Sequence, residues 1–261
     1  MLLDGDQMER EVQQQFGAVA ANYVASAVHA RGADLAELVR VSELRGDELA
    51  LDLGTAVGHT AFALAERVRR VIGIDLTAEM LAHAQRLAAE RQVRNVALVR
   101  GDVTHLPFAP AGFDLVTSRY SAHHYTRPDL VAREVARVLR PDGRFILADT
   151  VAPEDPALDT FINAVELLRD RSHVRDHTVA QWQAILAAAG LASEVVYRWD
   201  VGLDFDEWVA RMNTPPSAVA MLHTLLREAT DNARAVFQIR LGERPSFCLK
   251  GAILRAWVDR T

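Results

Sequence analysis

The stretch D-L-G-T-A-V-G places Asp52, Gly54, Ala56 and Gly58 at every second position, between an apolar run and a helix-forming one. Small residues spaced this way let the backbone turn tightly and approach a ligand closely, as nucleotide-binding turns do. Two further acidic residues fall where later apolar runs end: Asp75 closes VIGID, and Asp102 follows VALVR. An ionised carboxylate only accepts hydrogen bonds, which suits ribose hydroxyls and the amino group of a base. A second reactive stretch, SRYSAHHYTRP, gathers Arg119, Tyr120, His123, His124 and Tyr125. A histidine of near-neutral pKa there could take a proton from a phenol, an amine or an activated carbon; the alternative is that the pair packs against or caps the next helix. No cluster with metal-ligand spacing is evident, and adjacent histidines converge on one ion only through an unusual turn, so no metal is expected.

These residues need strand ends to hold them, and the chain supplies such ends at regular intervals. Short apolar runs at 48–54, 71–75, 96–100, 113–118 and 144–149 alternate with helix-forming segments. The helices expected are HTAFALAERVRR, TAEMLAHAQRLAAERQ with Thr77 as N-cap, and RPDLVAREVARVLR, the last ending at the Pro141-Asp142-Gly143 turn. This alternation predicts right-handed crossovers and a parallel sheet with helices on both faces, which places ligands beyond the carboxyl ends of the strands. Residues 8–44 read as helix. After Asp149 the rhythm breaks: a helix at VAQWQAILAAAG, a strand at 192–199, helical sequence over 203–240 interrupted at Pro215-Pro216, and a long final strand at 246–258.

The turn departs from the pyrophosphate-binding G-x-G-x-x-G, because His59 stands where the third glycine belongs. That argues against a nicotinamide dehydrogenase. The methyl group of Ala56 fits such a turn at negative φ and is unfriendly to a tightly held pyrophosphate.

The ordered set DLGTAVG, VIGID, RGDVTHLPF, FDLVTS and REVARVLRPDGRFILAD resembles the class I S-adenosylmethionine-dependent methyltransferases, and most of all the ubiquinone/menaquinone-biosynthesis C-methyltransferases and their small-molecule relatives. The resemblance implies an α/β fold: a doubly wound, Rossmann-like, seven-stranded, mostly parallel sheet whose last strand is antiparallel. It implies a single domain over 1–261, with an N-terminal helical arm (1–45), a cofactor core (46–150) and substrate-side segments (151–261) that include a helical lid at about 201–245. The cofactor implied is S-adenosylmethionine, with S-adenosylhomocysteine as product. Asp52 belongs to the motif, and the Gly54–Gly58 turn, Ala56 included, would lie under the methionine part, with the Gly54 carbonyl accepting from its amino group. Asp75 would take both ribose hydroxyls, with Leu76 and Met80 near ribose and adenine. Asp102 would accept from the adenine amino group, and the Val103 N–H would face a ring nitrogen. The Ser118 backbone would close the methionine end, where Tyr23 of the arm resembles an aromatic near the cofactor's carboxylate. His123 is the candidate catalytic base.

The acceptor expected is a small, partly apolar molecule, methylated at carbon, oxygen or nitrogen. Two other readings stay open: a cofactor-fold protein running a different reaction, and a nonenzymatic S-adenosylmethionine-binding module. The chain has 261 residues, half of them hydrophobic, and a net charge of −6, which disfavours nucleic acid as partner. Cys248 is the only cysteine, so no internal disulfide forms and a cytoplasmic location is expected. The start, MLLDGDQMEREVQQQF, lacks the layout of a signal peptide, and no apolar run approaches the ~20 residues of a membrane span. A homodimer is compatible with the sequence. His29, His173 and His177 fall in segments placed over the substrate in this fold, with solvated-loop or capping roles as the alternative. Asp149 ends the fifth run and either touches substrate or caps the turn at Thr150. Trp208, Met212 and Met221 are expected in the core, and Cys248 is expected to be inert.

Overall fold

The apolar runs form strands because each alternates its side chains between two helical layers, and the register of the sheet shows this pair by pair. In a computed structural model that describes residues 32–259 and, before them, only the helical positions 13, 15 and 17, β1 (Leu49–Leu53), β2 (Arg70–Asp75), β3 (Val96–Arg100), β4 (Phe113–Arg119) and β5 (Leu139–Thr150) pair in parallel. Two long strands complete the sheet: β6 (Leu191–Asp204) pairs with β7 (Ser246–Val258), and β7 runs antiparallel to both β5 and β6. The order β3-β2-β1-β4-β5-β7-β6 reverses direction between β1 and β4, the switch point at which a crevice opens beyond the strand ends.

Consecutive buried residues face opposite layers. Val116, Leu147 and Leu254 pack toward α4 (Pro128–Val138) and α6 (Val179–Ala188), among Val131, Val135, Val138, Trp182 and Leu186. Their neighbours Leu115, Ile146 and Ile253 pack the other way, with Leu38 and Val41 of α1 (Ala33–Val41) and Ala61 and Leu64 of α2 (His59–Ala65). Helix α3 (Ala78–Glu90) follows β2; Thr77 stands at its N-cap, but the threonine side chain makes no cap hydrogen bond. Helix α4 stops at Val138, earlier than expected: Leu139 is buried, and the chain crosses a bulge at residues 140–143, so that Phe113 pairs with Leu139 but Leu115 with Arg144.

A third apolar cluster sits past the ends of β6 and β7. There α5 (Pro156–Arg169), α7 (Phe205–Arg211), α8 (Pro216–Arg227) and α9 (Asp231–Val236) bury Ile162, Val165, Phe205, Trp208, Leu222, Leu226 and Phe237 against Val201, Leu203, Phe247 and Leu249. The strand β6 reaches Asp204, beyond the expected 192–199, so helix begins only at Phe205, where the Asp204 carboxylate accepts from the Glu207 N–H. Pro216 opens α8 at its first turn, where a missing N–H costs nothing. Trp208 and Met212 are buried as expected, whereas Met221 is 55% exposed on the outer face of α8. No helix among the described residues is long and apolar enough to cross a membrane.

One charged contact ties the helical layer to the strand ends. Arg119 Nε, at the end of β4, donates to Asp34 Oδ2 of α1 at 2.5 Å, with both side chains almost wholly buried. The guanidinium also lies 4.9 Å from the Tyr120 ring centroid. Removing the acid would take from a buried guanidinium its Asp34 carboxylate. Asp34→Ala should therefore lower the unfolding free energy by about 3 kcal/mol in denaturant titration, and Asp34→Leu combined with Arg119→Met should recover much of that loss.

Candidate active site

The turn after β1 exists because two side chains from elsewhere demand it. Gly54 has φ +62, and a Cβ there would fall 1.9 Å from Ser121 Oγ, so only glycine allows the turn and Ser121 to meet. Gly58, at φ +91, is the N-cap of α2 and does not line the cleft. Between them Ala56 adopts φ +48, contrary to the negative φ expected of it. The reason is a hydrogen bond: its N–H donates to Asp75 Oδ2 at 2.8 Å, and that bond holds the turn in the left-handed region.

This turn, the ends of β2 to β4 and the loops after them enclose an open cleft of about 1090 Å³. Of the residues expected at a cofactor, Gly54, Ala56, Asp75, Leu76, Met80, Asp102 and Val103 line it. Asp75 also accepts from the Thr77 N–H at 2.9 Å, and burial pushes its carboxyl above the ordinary value despite these donors. Burial pushes Asp102 up as well, but the Thr104 hydroxyl and N–H outweigh it and hold the carboxyl below its ordinary value.

Asp52 and Ser118 are placed differently from expectation, beneath the cleft. Asp52 and Thr117 are paired across β1 and β4, and the Thr117 hydroxyl donates to Asp52 Oδ1 at 2.8 Å. Burial pushes the Asp52 carboxyl up to about 6. Ser118 is fully buried, its hydroxyl 3.0 Å from Tyr125 Oη. Tyr23 and His29 lie outside the described residues. His59, Thr60, Thr77, Thr104, Ser121 and Thr126 also line the cleft. Sequence reasoning passed over them, although each is a small polar or ring-bearing residue shortly after a strand or at a helix start.

The two histidines follow one another on a short 3-10 turn, Ala122–His124, with ring centroids 4.1 Å apart, yet they border different cavities. His124 lines the cleft, its Nδ1 2.8 Å from the Ser172 carbonyl; burial and then the neighbouring His123 cation push its pKa down to about 4, so it is neutral. His123 does not line the cleft. It faces a second cavity, and Tyr120 is common to both. Its Nδ1 lies 2.8 Å from Asp149 Oδ1. Burial disfavours the charged ring, but the Asp149 carboxylate outweighs it and raises the pKa to about 9. The ring paired in this way favours its protonated form and lies outside the cleft in which the expected base was sought.

Asp149 does not cap the Thr150 turn alone. Its carboxylate accepts from the N–H groups of Ser121, Ala122 and Thr150 as well as from His123. His173 is buried rather than solvated, stacked 5.7 Å from His123 with Nε2 at Asn163 Oδ1, and His177 packs edge-on to Trp182. Cys248 is buried in β7, and burial pushes its thiol pKa up.

The methyltransferase-domain family profile matches residues 51–147. An uncharacterized methyltransferase of Bacillus subtilis, YcgJ, is 41% identical over 92% of this chain and 96% of its own length. The crystal structure of YcgJ superposes with a TM-score of 0.85 at 39% identity, covering 87% of this chain and 99% of that one. A second structure, a putative methyltransferase of Bacillus halodurans, superposes at 0.83 with 32% identity over 86% and 98% of the two chains. The Escherichia coli protein YafE is 36% identical over 72% of this chain and 90% of its own length.

Two measurements test this geometry. Because the folded pKa of His123 lies above its ordinary 6.5, its contribution to stability is complete below pH 6.5 and is lost as pH rises through about 9. Urea titrations across that range should show the decline in the wild type and a smaller one in His123→Gln. At Ala56, glycine should leave stability unchanged or raise it by up to about 1 kcal/mol, whereas valine should lower it by more than about 1 kcal/mol.

Proposed function

This chain belongs to the class I S-adenosylmethionine-dependent methyltransferases, and from that premise we propose that its cleft holds S-adenosylmethionine and that it methylates a small, partly apolar acceptor at carbon, oxygen or nitrogen. The observation that carries this reading is the convergence of the Gly54–Ala56 turn, Asp75 and the Gly101–Val103 loop in one cleft at the switch point of the sheet.

Asp75 fits the group on its own chemistry. Each of its oxygens accepts one backbone N–H, from Ala56 and from Thr77, and a carboxylate has about four acceptor sites. The remaining acceptor capacity of the carboxylate suits a pair of vicinal hydroxyls. Burial has raised this carboxyl's pKa, and two further donors would stabilise its charged form. The side chains of Leu76, Met80 and Val103 supply an apolar surface for a flat base beside it.

When bound, S-adenosylmethionine supplies an electrophilic methyl group that an acceptor's electron pair takes by in-line displacement at carbon, leaving the former sulfonium sulfur with its bonding pair as a thioether. The protein's share is alignment and exclusion of water, which can lower the barrier by several kcal/mol. Tyr120 and Tyr125 at the cleft wall are neutral, since burial pushes both phenols well above their ordinary pKa. The second cavity beyond Tyr120, with Val201, Leu203, Trp208 and Leu249 in its lining, offers space for a partly apolar acceptor. A net charge of −6 and a single buried cysteine accord with a cytoplasmic enzyme acting on small molecules.

Calorimetric titration with S-adenosylhomocysteine should give a dissociation constant in the micromolar range for the wild type. Asp75→Ala should weaken it at least about tenfold, as expected for the loss of two charge-assisted hydrogen bonds. Absence of binding to the wild type, or equal binding by the variant, would overturn the reading.

A further inference from the structure

The second cavity holds a set of hydrogen-bonding groups that the fold leaves unsatisfied. Its ionisable lining consists of His123, Glu166, Arg169, Arg211 and the Tyr120 phenol, beside Thr150. Arg169 is about nine-tenths buried, yet its guanidinium is held only by Nε, which donates to the Trp208 carbonyl at 3.3 Å, and by the Trp208 ring, 5.2 Å away. Neither of its Nη nitrogens has a hydrogen-bond partner or a carboxylate within 4.0 Å among the described residues. Glu166, one helical turn earlier on α5 and 5% exposed, has a buried Oε1 with no partner. His123 uses Nδ1 on Asp149 and makes no hydrogen bond through Nε2. Glu166 Oε1 is buried without a partner, and the Arg169 Nη and His123 Nε2 nitrogens are unpaired at the cavity surface, a set of groups whose bonding a ligand can complete.

We propose that this cavity is the acceptor site and that it selects a small carboxylic acid with an apolar body, its carboxylate held by Arg169 and His123 Nε2–H and its body lying against Val201, Leu203 and Leu249. The inference rests on the methyl-transfer reading for the word acceptor and stands on the cavity alone for the carboxylate. Arg169 brings a positive charge with no carboxylate within 4.0 Å, which favours an anion, whereas the His123 cation is paired with Asp149 and contributes a directed N–H. Burial pushes Glu166 up to about 7, so near neutrality its protonated form donates a third hydrogen bond to the same anion. The planar fork of Arg169 matches a carboxylate with two parallel N–H···O bonds. Tyr120 borders both cavities, so an acid anchored at Arg169 extends its other end toward the cofactor cleft.

The test uses 3-phenylpropionate and its neutral amide, titrated calorimetrically into the full chain saturated with S-adenosylhomocysteine. The acid should bind, and the amide should bind at least about tenfold more weakly, the discrimination expected of charge-assisted hydrogen bonds. Arg169→Met, which keeps an unbranched stem over Trp208, should lose that discrimination while its affinity for S-adenosylhomocysteine stays within about twofold of wild type. Val201→Phe, which fills the cavity from the opposite wall, should abolish binding of the acid and again spare the cofactor product. Equal binding of acid and amide, no binding of the acid to wild type at roughly 10 mM, a level weaker than any useful recognition, or unchanged discrimination in Arg169→Met would each overturn the inference. Failure of S-adenosylhomocysteine itself to bind would instead overturn the cofactor reading, so the two failures are distinguishable.

Discussion

The carboxylate of Asp149 is buried at the end of β5 and receives the N–H groups of Ser121, Ala122 and Thr150 together with His123 Nδ1. Four donors on one carboxylate offset a desolvation cost that would otherwise protonate it, and the pairing keeps both Asp149 and His123 charged. The consequence is geometric. Because two successive N–H groups of the 121–122 turn aim at one anion, the chain leaving β4 must bend at once, and Tyr120 takes φ +49 to begin that bend. Ser121 is thereby set against Gly54, which closes the floor of the cleft from the β4 side. His124 is set toward the cleft and His123 away from it. Thr150, held by the same carboxylate, passes its hydroxyl to Asp176 and so ties the loop after α5 to the strand end.

A second carboxylate does for β1 what Asp149 does for β4. Asp75 draws in the N–H groups of Ala56 and Thr77, and the cost is a left-handed alanine. Strain of this kind persists only where surrounding bonds over-determine it, and here it flanks the cleft on both sides, at Ala56 and at Tyr120. The cleft is thus built by two acids at strand ends pulling loops inward. Its shape depends on charge as much as on packing.

Much of this was legible in the sequence, because the strands are marked by apolar runs and the acids at their ends are a fixed distance from a turn. Asp75 and the Gly54 turn follow from that logic. Asp52 and Ser118 do not, since whether a residue near a strand end faces the ligand or its neighbour depends on register, and only the Asp52–Thr117 pairing reveals it. The division of His123 from His124 was illegible for a similar reason: their directions are set by Asp149, 26 residues later in the chain. Glu166 and Arg169 carried a readable signal that was passed over. They fall on the stripe Leu158, Ile162, Val165 of α5, so the helix period places both charges on its buried face. A charge on the apolar face of a helix asks for a partner, and among the described residues no carboxylate stands within 4.0 Å of the Arg169 guanidinium.

The wall between the two cavities must satisfy a chemical condition as well as a spatial one. Any nucleophile beside an electrophilic methyl group competes with the intended acceptor, and a phenolate is a good nucleophile. Tyr120 stands at that wall, pinned by the Trp199 indole N–H at 3.3 Å, by the Arg119 guanidinium over its ring and by an edge contact with Trp199. Arg119 would favour the phenolate, but burial, followed by the nearby Asp34 charge, raises the phenol's pKa and keeps it neutral. The Arg119–Asp34 contact therefore does two things at once. It fastens α1 to the end of β4, and it places beside Tyr120 a negative charge that opposes the positive one. On the proposed reading, the same pairing that stabilises the fold keeps the dividing residue unreactive, so that an acceptor entering from the Arg169 side meets the methyl group without competition from the wall it passes.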